Sequence, residues 1–224
     1  MRYPKLSVSN KLVVALAAVA MLTGCAGNPG APPEQVVSVL DEPMHRVVHR
    51  DGDLYLLDVQ IPPGAVTLAH RHDSAMLYTI VHDADGPTGG VTDSETEWAE
   101  HPFVHTVTNA GPGLMHIIGI CHYGPGRREQ PSEGSLRNPQ LSDAWFRSFR
   151  IQLNPGEQTD WLTQPNPAVV VQVTTGTGQV LRKDGQTMDL SGTGHWAWND
   201  ASSSFRIRNT GASPLELVVN EARL

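Results

Sequence analysis

Short apolar runs separated by turns rich in proline and glycine extend through this 224-residue chain from residue 54 onward. Their length and their content of β-branched residues are typical of strands, and no stretch has the periodicity of a long amphipathic helix. Turns are marked at 62–64, 111–113 and 154–156. The clearest predicted strands are 54–61, 76–81, 104–108, 114–121, 145–153, 168–174, 178–183, 186–190, 204–209 and 215–219. The pattern predicts an all-β protein.

The second half of the chain repeats the first. Residues 59–64 match 151–156 at an offset of 92. Three single residues match their counterparts 100 positions later, namely Trp98, Asn109 and Gly111. The second copy therefore carries eight additional residues, which we place in a hairpin around Asp184 and Gly185. Internal similarity of this kind predicts two copies of one structural unit.

The amino terminus has the features of an export signal. Three basic residues precede or open an apolar run at 12–22, which is too short to span a bilayer comfortably. The run ends in Leu22-Thr23-Gly24-Cys25, which resembles the lipobox of bacterial lipoproteins. The resemblance implies cleavage before Cys25, a lipid on that cysteine and stable anchoring in a bacterial cell envelope, outside the cytoplasm. In a Gram-negative cell, Ala26 fits delivery to the periplasmic face of the outer membrane. The alternative is ordinary secretion with a chance cysteine.

These features divide the chain into five segments. We expect a signal peptide at 1–24, a lipidated tether at 25–35, a first barrel-forming unit at 36–122, a polar linker at 123–142 and a second unit at 143–224. Without the signal, 13 basic and 23 acidic residues remain, a net charge of −10. This charge argues against nucleic acid as a partner. Cys121 has no second cysteine to pair with once Cys25 is lipidated, and it is either a buried apolar residue or a reactive thiol.

Nine of the ten histidines lie between His45 and His122. Gly64 is followed after five residues by His70-Arg71-His72, and His105 is followed after three residues by Asn109. Their order and spacing resemble the two motifs of the cupin superfamily, whose members are small jelly-roll β-barrels. The second copy keeps the turns but has Leu162, Gln164 and Phe205 in place of the three histidines. The resemblance therefore implies a bicupin, with two tandem barrels of which the second is degenerate.

The three histidines suggest a metal site in the first barrel. His70 and His72 are two positions apart, so on a strand both side chains leave the same face, and His105 from a neighbouring strand would complete the set. The glutamate usual in the first motif is absent, because Met76 and Leu77 stand where it should fall. Three imidazoles suit a divalent Fe, Zn, Mn, Ni or Cu ion, and ligand type alone does not select among them. The alternative is a hydrogen-bonded imidazole cluster without metal.

Other residues near the site have weaker claims. His101 is a candidate fourth ligand or acid/base, and Tyr78 is a candidate hydrogen-bond donor or a packing residue. Glu97 and Glu100 are candidates to replace the absent carboxylate, although their acidic neighbours favour a solvated acidic loop. His116 is expected to face outward, and His122 is expected in an exposed loop unless it pairs with Cys121. The remaining histidines are assigned no role: His45, His49, His82 and His195.

Three functions remain open at this stage. The first is metal-dependent catalysis on a small molecule, of dioxygenase, isomerase or lyase type, in which the metal acts as a Lewis acid or activates oxygen. The second is a non-catalytic module that binds a small ligand or the metal itself. The third is a structural or interaction lipoprotein, in which the degenerate barrel serves as a docking surface or a homodimer interface. Cupins include enzymes, binding proteins and storage proteins, so the fold does not decide between these functions.

Overall fold

The computed structural model describes residues 35–127 and 134–224. The predicted signal peptide, Cys25 and all but the last residue of the tether lie outside this part of the chain. The described residues belong to one compact unit, which is all-β as expected. Within the described residues, helix is confined to one 3-10 turn, Glu97–Ala99. No helix in these two ranges has the length and apolar character needed to cross a bilayer.

Each half of the described chain forms two sheets. The strands of the first half are β1 (Val37–Ser38), β2 (His45–Asp51), β3 (Leu54–Ile61), β4 (His70–His72), β5 (Ala75–Asp83), β6 (Gly86–Glu95), β7 (Phe103–His105) and β8 (Met115–His122). They are arranged in the order β2-β3-β8-β5-β6 in one sheet and β1-β4-β7 in the other. The larger sheet is antiparallel throughout.

The second half repeats the five-stranded sheet, but its smaller sheet has four strands instead of three. Its strands are β9 (Leu141–Ser142), β10 (Phe146–Leu153), β11 (Leu162–Thr163), β12 (Ala168–Gln172), β13 (Gly178–Arg182), β14 (Thr187–Leu190), β15 (Trp196–Asn199), β16 (Ser204–Asn209) and β17 (Leu215–Ala222). The sheet orders are β15-β12-β17-β10-β9 and β11-β16-β13-β14. The strand β9 lies inside the predicted linker 123–142. The last two residues of that segment pair with β10 and belong to the large sheet.

The two five-stranded sheets are apolar on both faces because each separates two cores. Along β3, Leu54 and Leu56 face the second half, whereas Leu57, Val59 and Ile61 face the interior of the first half. The core between the halves also contains residues of the second half's large sheet: Phe146, Val169, Val171, Val218 and Ala222. The alternation of side chains along a strand places each set on its own face. The halves therefore share a continuous hydrophobic interface.

Matching turns close the two halves. Asn109 is fully buried, and its side-chain amide donates hydrogen bonds to the carbonyls of Ile61 and Gly113 at 2.8 Å each. Asn209 makes the equivalent bonds to Leu153 and Ser213 at 3.0 and 2.8 Å. Buried amides need such partners, so this asparagine is retained in the second half although the histidines are not.

The sequence match of Trp98 with Trp198 is wrong in structural terms. Val169, the counterpart of Leu77, pairs with Trp198, whereas Leu77 pairs with Ser94. Ser94 is therefore the counterpart of Trp198. The segment between Ser94 and His105 in the first half is four residues longer than the segment between Trp198 and Phe205 in the second half. The 3-10 turn that carries Trp98 lies in this first-half addition.

Candidate metal centre

Two strands of the small sheet bring the three predicted histidines together. Strand β4 pairs antiparallel with β7, and His70 lies directly opposite His105. His70 and His72 are 0% and 3% exposed, whereas Arg71 between them is exposed. This alternation is the one expected from a strand, and it turns both imidazoles into the barrel. His105 is half-buried beside them.

The imidazole rings of this set lie in contact. The Nε2 atoms of His72 and His105 are 3.1 Å apart. The ring centroids of His70 and His105 are 4.6 Å apart, and those of His70 and His72 are 5.0 Å apart. The three imidazoles of the predicted set therefore lie in mutual contact inside the barrel.

A fourth histidine joins the cluster, one to which the sequence assigned no role. His45 is the first residue of β2 and is 5% exposed. Its ring centroid is 4.4 Å from that of His70, and one ring nitrogen each of His45, His70 and His72 lie within 4.8 Å of one another. Its side chain reaches the interior because His45 pairs with the inward-facing Val59, a contact that the sequence motifs do not mark.

The hydrogen bonds of two histidines fix their tautomers. His45 donates from Nδ1 to a carboxylate oxygen of Glu42 at 2.7 Å. His70 donates from Nδ1 to the carbonyl of Leu68 at 2.8 Å. In both rings the lone pair is then on Nε2. The Nε2 atom of His70 and the Nδ1 atom of His72 are buried and have no hydrogen-bond partner. Unpartnered buried ring nitrogens are costly unless something binds them.

All four rings favour the neutral form. Burial, followed by repulsion from the neighbouring histidines, lowers the pKa of His72 to about 2 and that of His105 to about 4. Burial also lowers the pKa of His70 and of His45, despite their hydrogen bonds to the Leu68 carbonyl and the Glu42 carboxylate, which favour the charged forms. Neutral imidazole is the form that binds metal ions.

Aromatic side chains cover one side of the cluster. The indole of Trp98 lies against His72 with ring centroids 4.5 Å apart, and it stacks on Phe103 at 5.5 Å with an interplanar angle of 14°. Phe103 in turn contacts His105 at 4.9 Å. These contacts limit the access of water to that side of the rings.

Tyr78 is part of the apolar interior of the first barrel. It packs with the buried residues Val59, Met76 and Cys121. Burial, together with the charges of Asp93 and Glu95, raises the pKa of Tyr78 to about 12. The phenol therefore stays protonated, and the predicted roles as hydrogen-bond donor and as packing residue both remain compatible with its position.

The acidic and histidine candidates in and directly after the 3-10 turn are exposed to solvent rather than buried at the cluster. Glu97, Glu100 and His101 are exposed. The backbone N–H of His101 donates to the carbonyl of Glu97 at 2.8 Å, which closes the turn. The exposure of Glu97 and Glu100 agrees with their interpretation as part of a solvated loop. Neither they nor His101 belong to the histidine cluster or to the aromatic residues that cover it.

Cys121 and His122 are both buried in the fold. Cys121 is fully buried, and burial raises the pKa of its thiol to about 12. The expectation that His122 lies in an exposed loop is wrong, because it ends β8 and is 1% exposed. Its ring donates from Nε2 to the carbonyl of Arg223 at 2.9 Å and accepts from the N–H of Gly124 at 3.1 Å. Both ring nitrogens are thus satisfied, Nε2 by a contact with the second half and Nδ1 by the backbone two residues further along the chain.

His116 lines a separate polar cleft of about 410 Å³ with Asp58, Gln60, Thr193, His195 and Trp196. The ring of His116 hydrogen-bonds the carboxylate of Asp58 at 2.9 Å, and Asp58 also binds Arg46 at 2.6 Å. The outward face expected for His116 is therefore only partly open, since its side chain is 12% exposed.

The second half has no such cluster at the equivalent place. Leu162 pairs with Phe205, as His70 pairs with His105. Both residues belong to a core that also contains Phe149, Val170 and Ile207. Gln164, the counterpart of His72, donates to Glu221 at 3.4 Å. Apolar side chains therefore fill the interior in which the first half has its histidines.

Comparison with known proteins supports the fold. No protein-family model and no curated protein matches the sequence. The structure is similar to the crystal structure of AerE from Microcystis aeruginosa, with a TM-score of 0.55 and 9% identity, over 82% of this chain and 99% of that chain. A cupin 2 conserved barrel domain protein from Leptotrichia buccalis gives a TM-score of 0.48 and 9% identity over 80% and 88% of the two chains. A cupin domain from Bordetella pertussis gives 0.35 and 18% over 43% and 99%.

The strand order and the histidine motifs agree with this likeness. The chain has the cupin fold, and the resemblance seen in the sequence is confirmed at that level. At 9% identity the likeness shows the fold and does not assign an activity.

Proposed function

We propose that the first half of this chain binds a divalent transition metal through its buried histidine cluster. His70, His72 and His105 form the set that the motifs predict, and His45 is the additional candidate ligand from β2. The observations that carry this proposal are the ring nitrogens of His45, His70 and His72 within 4.8 Å of one another and the Nε2 atom of His105 at 3.1 Å from that of His72.

The distances fit a shared ion. Two nitrogens that bind one tetrahedral zinc ion at about 2.0–2.1 Å lie about 3.3–3.4 Å apart, and in octahedral geometry about 2.9 Å. The 3.1 Å between the Nε2 atoms of His72 and His105 falls in this range. The lone pair on Nε2 of His70 is buried without a partner, so a cation would satisfy it.

The donor set narrows the choice of metal. Imidazole suits Zn, Cu, Fe and Ni, whereas Mn is better served by carboxylate and water oxygens. The motif glutamate is missing, and Glu42 is turned toward His45 rather than presented as a separate ligand. We therefore expect Zn, Ni, Cu or Fe(II) to be held more tightly than Mn.

A bound metal would supply Lewis acidity or oxygen activation to a small extracytoplasmic molecule. The chain's own residues hold the imidazoles neutral and fix the tautomers of His45 and His70, while Trp98 and Phe103 shield one side of the cluster from water. Dioxygenase, isomerase and lyase chemistry all remain within this proposal, and the small molecule is the expected partner.

Metal content measured by mass spectrometry on protein purified without a His tag tests the proposal. The wild-type protein is expected to bind one equivalent of zinc or another of these metals, and His72→Ala is expected to lose it. His195→Ala is the matched control, since His195 is exposed and lies in the second half. If the wild-type protein bound none of these metals at neutral pH, the proposed metal site would be rejected.

A non-catalytic module for a metal or small ligand is the second candidate. It is favoured by the surroundings of the cluster, where the neighbouring rings are Trp98 and Phe103 and the nearby Glu97 and Glu100 are exposed. Ligand-induced thermal stabilisation without turnover of any bound small molecule would support this candidate over catalysis.

Anchoring through Cys25 is a further part of the proposal. It depends on the lipobox-like sequence alone, because Cys25 lies outside the described residues. Wild-type protein in its native host is expected to incorporate labelled palmitate and to fractionate with membranes, and Cys25→Ala is expected to lose both. Equal labelling of the two proteins would reject the anchor. Homodimer formation stays a prediction, to be tested by light scattering.

A further inference from the structure

We propose that Glu42 is a positioning residue that orients two histidines of the cluster at once, His45 directly and His70 through the backbone of Leu68. This inference rests on the proposed metal site and adds to it the group that fixes its ligands. Glu42 precedes both cupin motifs, so the motifs give no reason to single it out.

The direct contact involves one carboxylate oxygen. Oε2 of Glu42 accepts a hydrogen bond from Nδ1 of His45 at 2.7 Å, and it also accepts from the backbone N–H groups of Met44 and His45 at 2.8 and 3.1 Å. Ionic hydrogen bonds of this length are among the stronger ones in proteins. They hold the imidazole with its Nε2 lone pair directed away from Glu42.

The second contact involves the other oxygen. Oε1 of Glu42 accepts from the backbone N–H of Leu68 at 3.1 Å, and the carbonyl of Leu68 accepts from Nδ1 of His70 at 2.8 Å. His45 belongs to the five-stranded sheet and His70 to the three-stranded sheet. One carboxylate thus ties both sheets together at the point where their histidines meet.

The chemistry requires a carboxylate at this position. Glu42 is 2% exposed, and all four of its partners are hydrogen-bond donors. An ionised carboxylate offers only acceptors, whereas a glutamine amide must present its NH₂ group to one side. In Glu42→Gln, that NH₂ would face either His45 or the N–H of Leu68. Either the link to Leu68 is then lost, or His45 keeps its contact only by accepting at Nδ1, which places its proton on Nε2.

The test compares Zn²⁺ affinity, measured by competition with a chromophoric chelator, in wild-type protein, Glu42→Gln and Glu97→Gln. Glu97 is exposed in the 3-10 turn, so Glu97→Gln makes the same change of charge without touching the cluster. Loss of an outer-shell partner typically reduces metal affinity about 10- to 100-fold. We expect this loss in Glu42→Gln and wild-type affinity in Glu97→Gln.

The Co²⁺ absorption spectrum separates positioning from general destabilisation. At saturating Co²⁺, Glu42→Gln is expected to show shifted d–d bands, because the arrangement of its ligands has changed, while Glu97→Gln keeps the wild-type spectrum. A Glu42→Gln protein with the affinity and spectrum of Glu97→Gln would overturn the inference. A wild-type protein that binds neither Zn²⁺ nor Co²⁺ would instead defeat the metal site itself, and the inference with it.

A measurement on the metal-free wild-type protein avoids any folding defect of the variant. The ¹⁵N chemical shifts of the histidine rings report which nitrogen carries the proton. His45 and His70 are expected as Nδ1–H tautomers, set by Glu42 and by the Leu68 carbonyl. An Nε2–H tautomer at His45 would contradict the inference, whatever the variants show.

Discussion

His70 lies directly opposite His105 across the β4–β7 pair, and Leu162 lies opposite Phe205 at the same place in the second half. The same backbone pairing therefore carries a polar pair in one barrel and an apolar pair in the other. The apolar pair is buried in a continuous core, whereas the histidine pair leaves a buried ring nitrogen without a partner. The contrast indicates that the first half retains its imidazoles at a cost in stability.

The double variant His70→Leu/His105→Phe copies the second half into the first. We expect it to lose metal binding and to unfold at a higher temperature than the metal-free wild-type protein, because the buried Nε2 atom of His70, which has no partner, is replaced by an apolar group. Calorimetry in the presence of a chelator measures the difference. A Tm below that of the metal-free wild type would show that the histidines support the fold rather than burden it.

The metal-free protein should be sensitive to acid. The pKa of His72 is about 2 and that of His105 about 4 in the folded state, against about 6.5 in an unfolded chain. Below pH 6.5 the unfolded chain therefore binds protons that the folded protein does not bind, and the free energy of unfolding decreases as the pH falls. For the buried His72 the slope is at most about 1.4 kcal/mol per pH unit.

Urea denaturation of chelated protein between pH 7 and pH 5 checks this slope. His195→Ala is expected to keep the wild-type dependence on pH, whereas His70→Leu/His105→Phe is expected to flatten it. Identical slopes in all three proteins would show that the cluster does not govern the acid sensitivity.

Trp98 is expected to control access to the cluster. Its indole lies 4.5 Å from His72 and stacks on Phe103, so Trp98→Ala removes part of the aromatic cover. We expect the metal to be extracted by EDTA several-fold faster from this variant. Trp161→Ala is the control, because Trp161 is 38% exposed in the second half. Equal extraction rates in the two variants would mean that the metal leaves by another route.

The two halves should depend on each other for stability. Ile120 is 1% exposed in the core that both large sheets share, and Asn220 donates to Thr79 across the same interface at 2.8 Å. Truncation of a buried isoleucine to alanine costs about 2–5 kcal/mol. Ile120→Ala should lower the free energy of unfolding by that amount in one cooperative transition, whereas Val47→Ala, at a site 41% exposed, should change it little. Two separate transitions in the wild-type protein would contradict this dependence.

The sequence predicted those features that depend on local periodicity and on the repeat. Alternation along strands identified β3 and β16 with their observed bounds and placed His70 and His72 on one face. The duplicated asparagines marked the same turn in both halves. The motif spacing then brought His105 to the cluster, because β4 and β7 pair in the register that the fold requires.

Features that depend on contacts between distant strands were decided only by the tertiary structure. His45 and Glu42 precede both motifs, and nothing local distinguishes them until the two sheets close over one interior. The sequence matched Trp98 with Trp198, but strand pairing shows that Ser94 is the counterpart of Trp198. The indole of Trp98 lies beside His72 instead. Alternation along a strand shows which residues share a face, but the packing of sheets decides which of those faces meet, and the histidine cluster lies where they do.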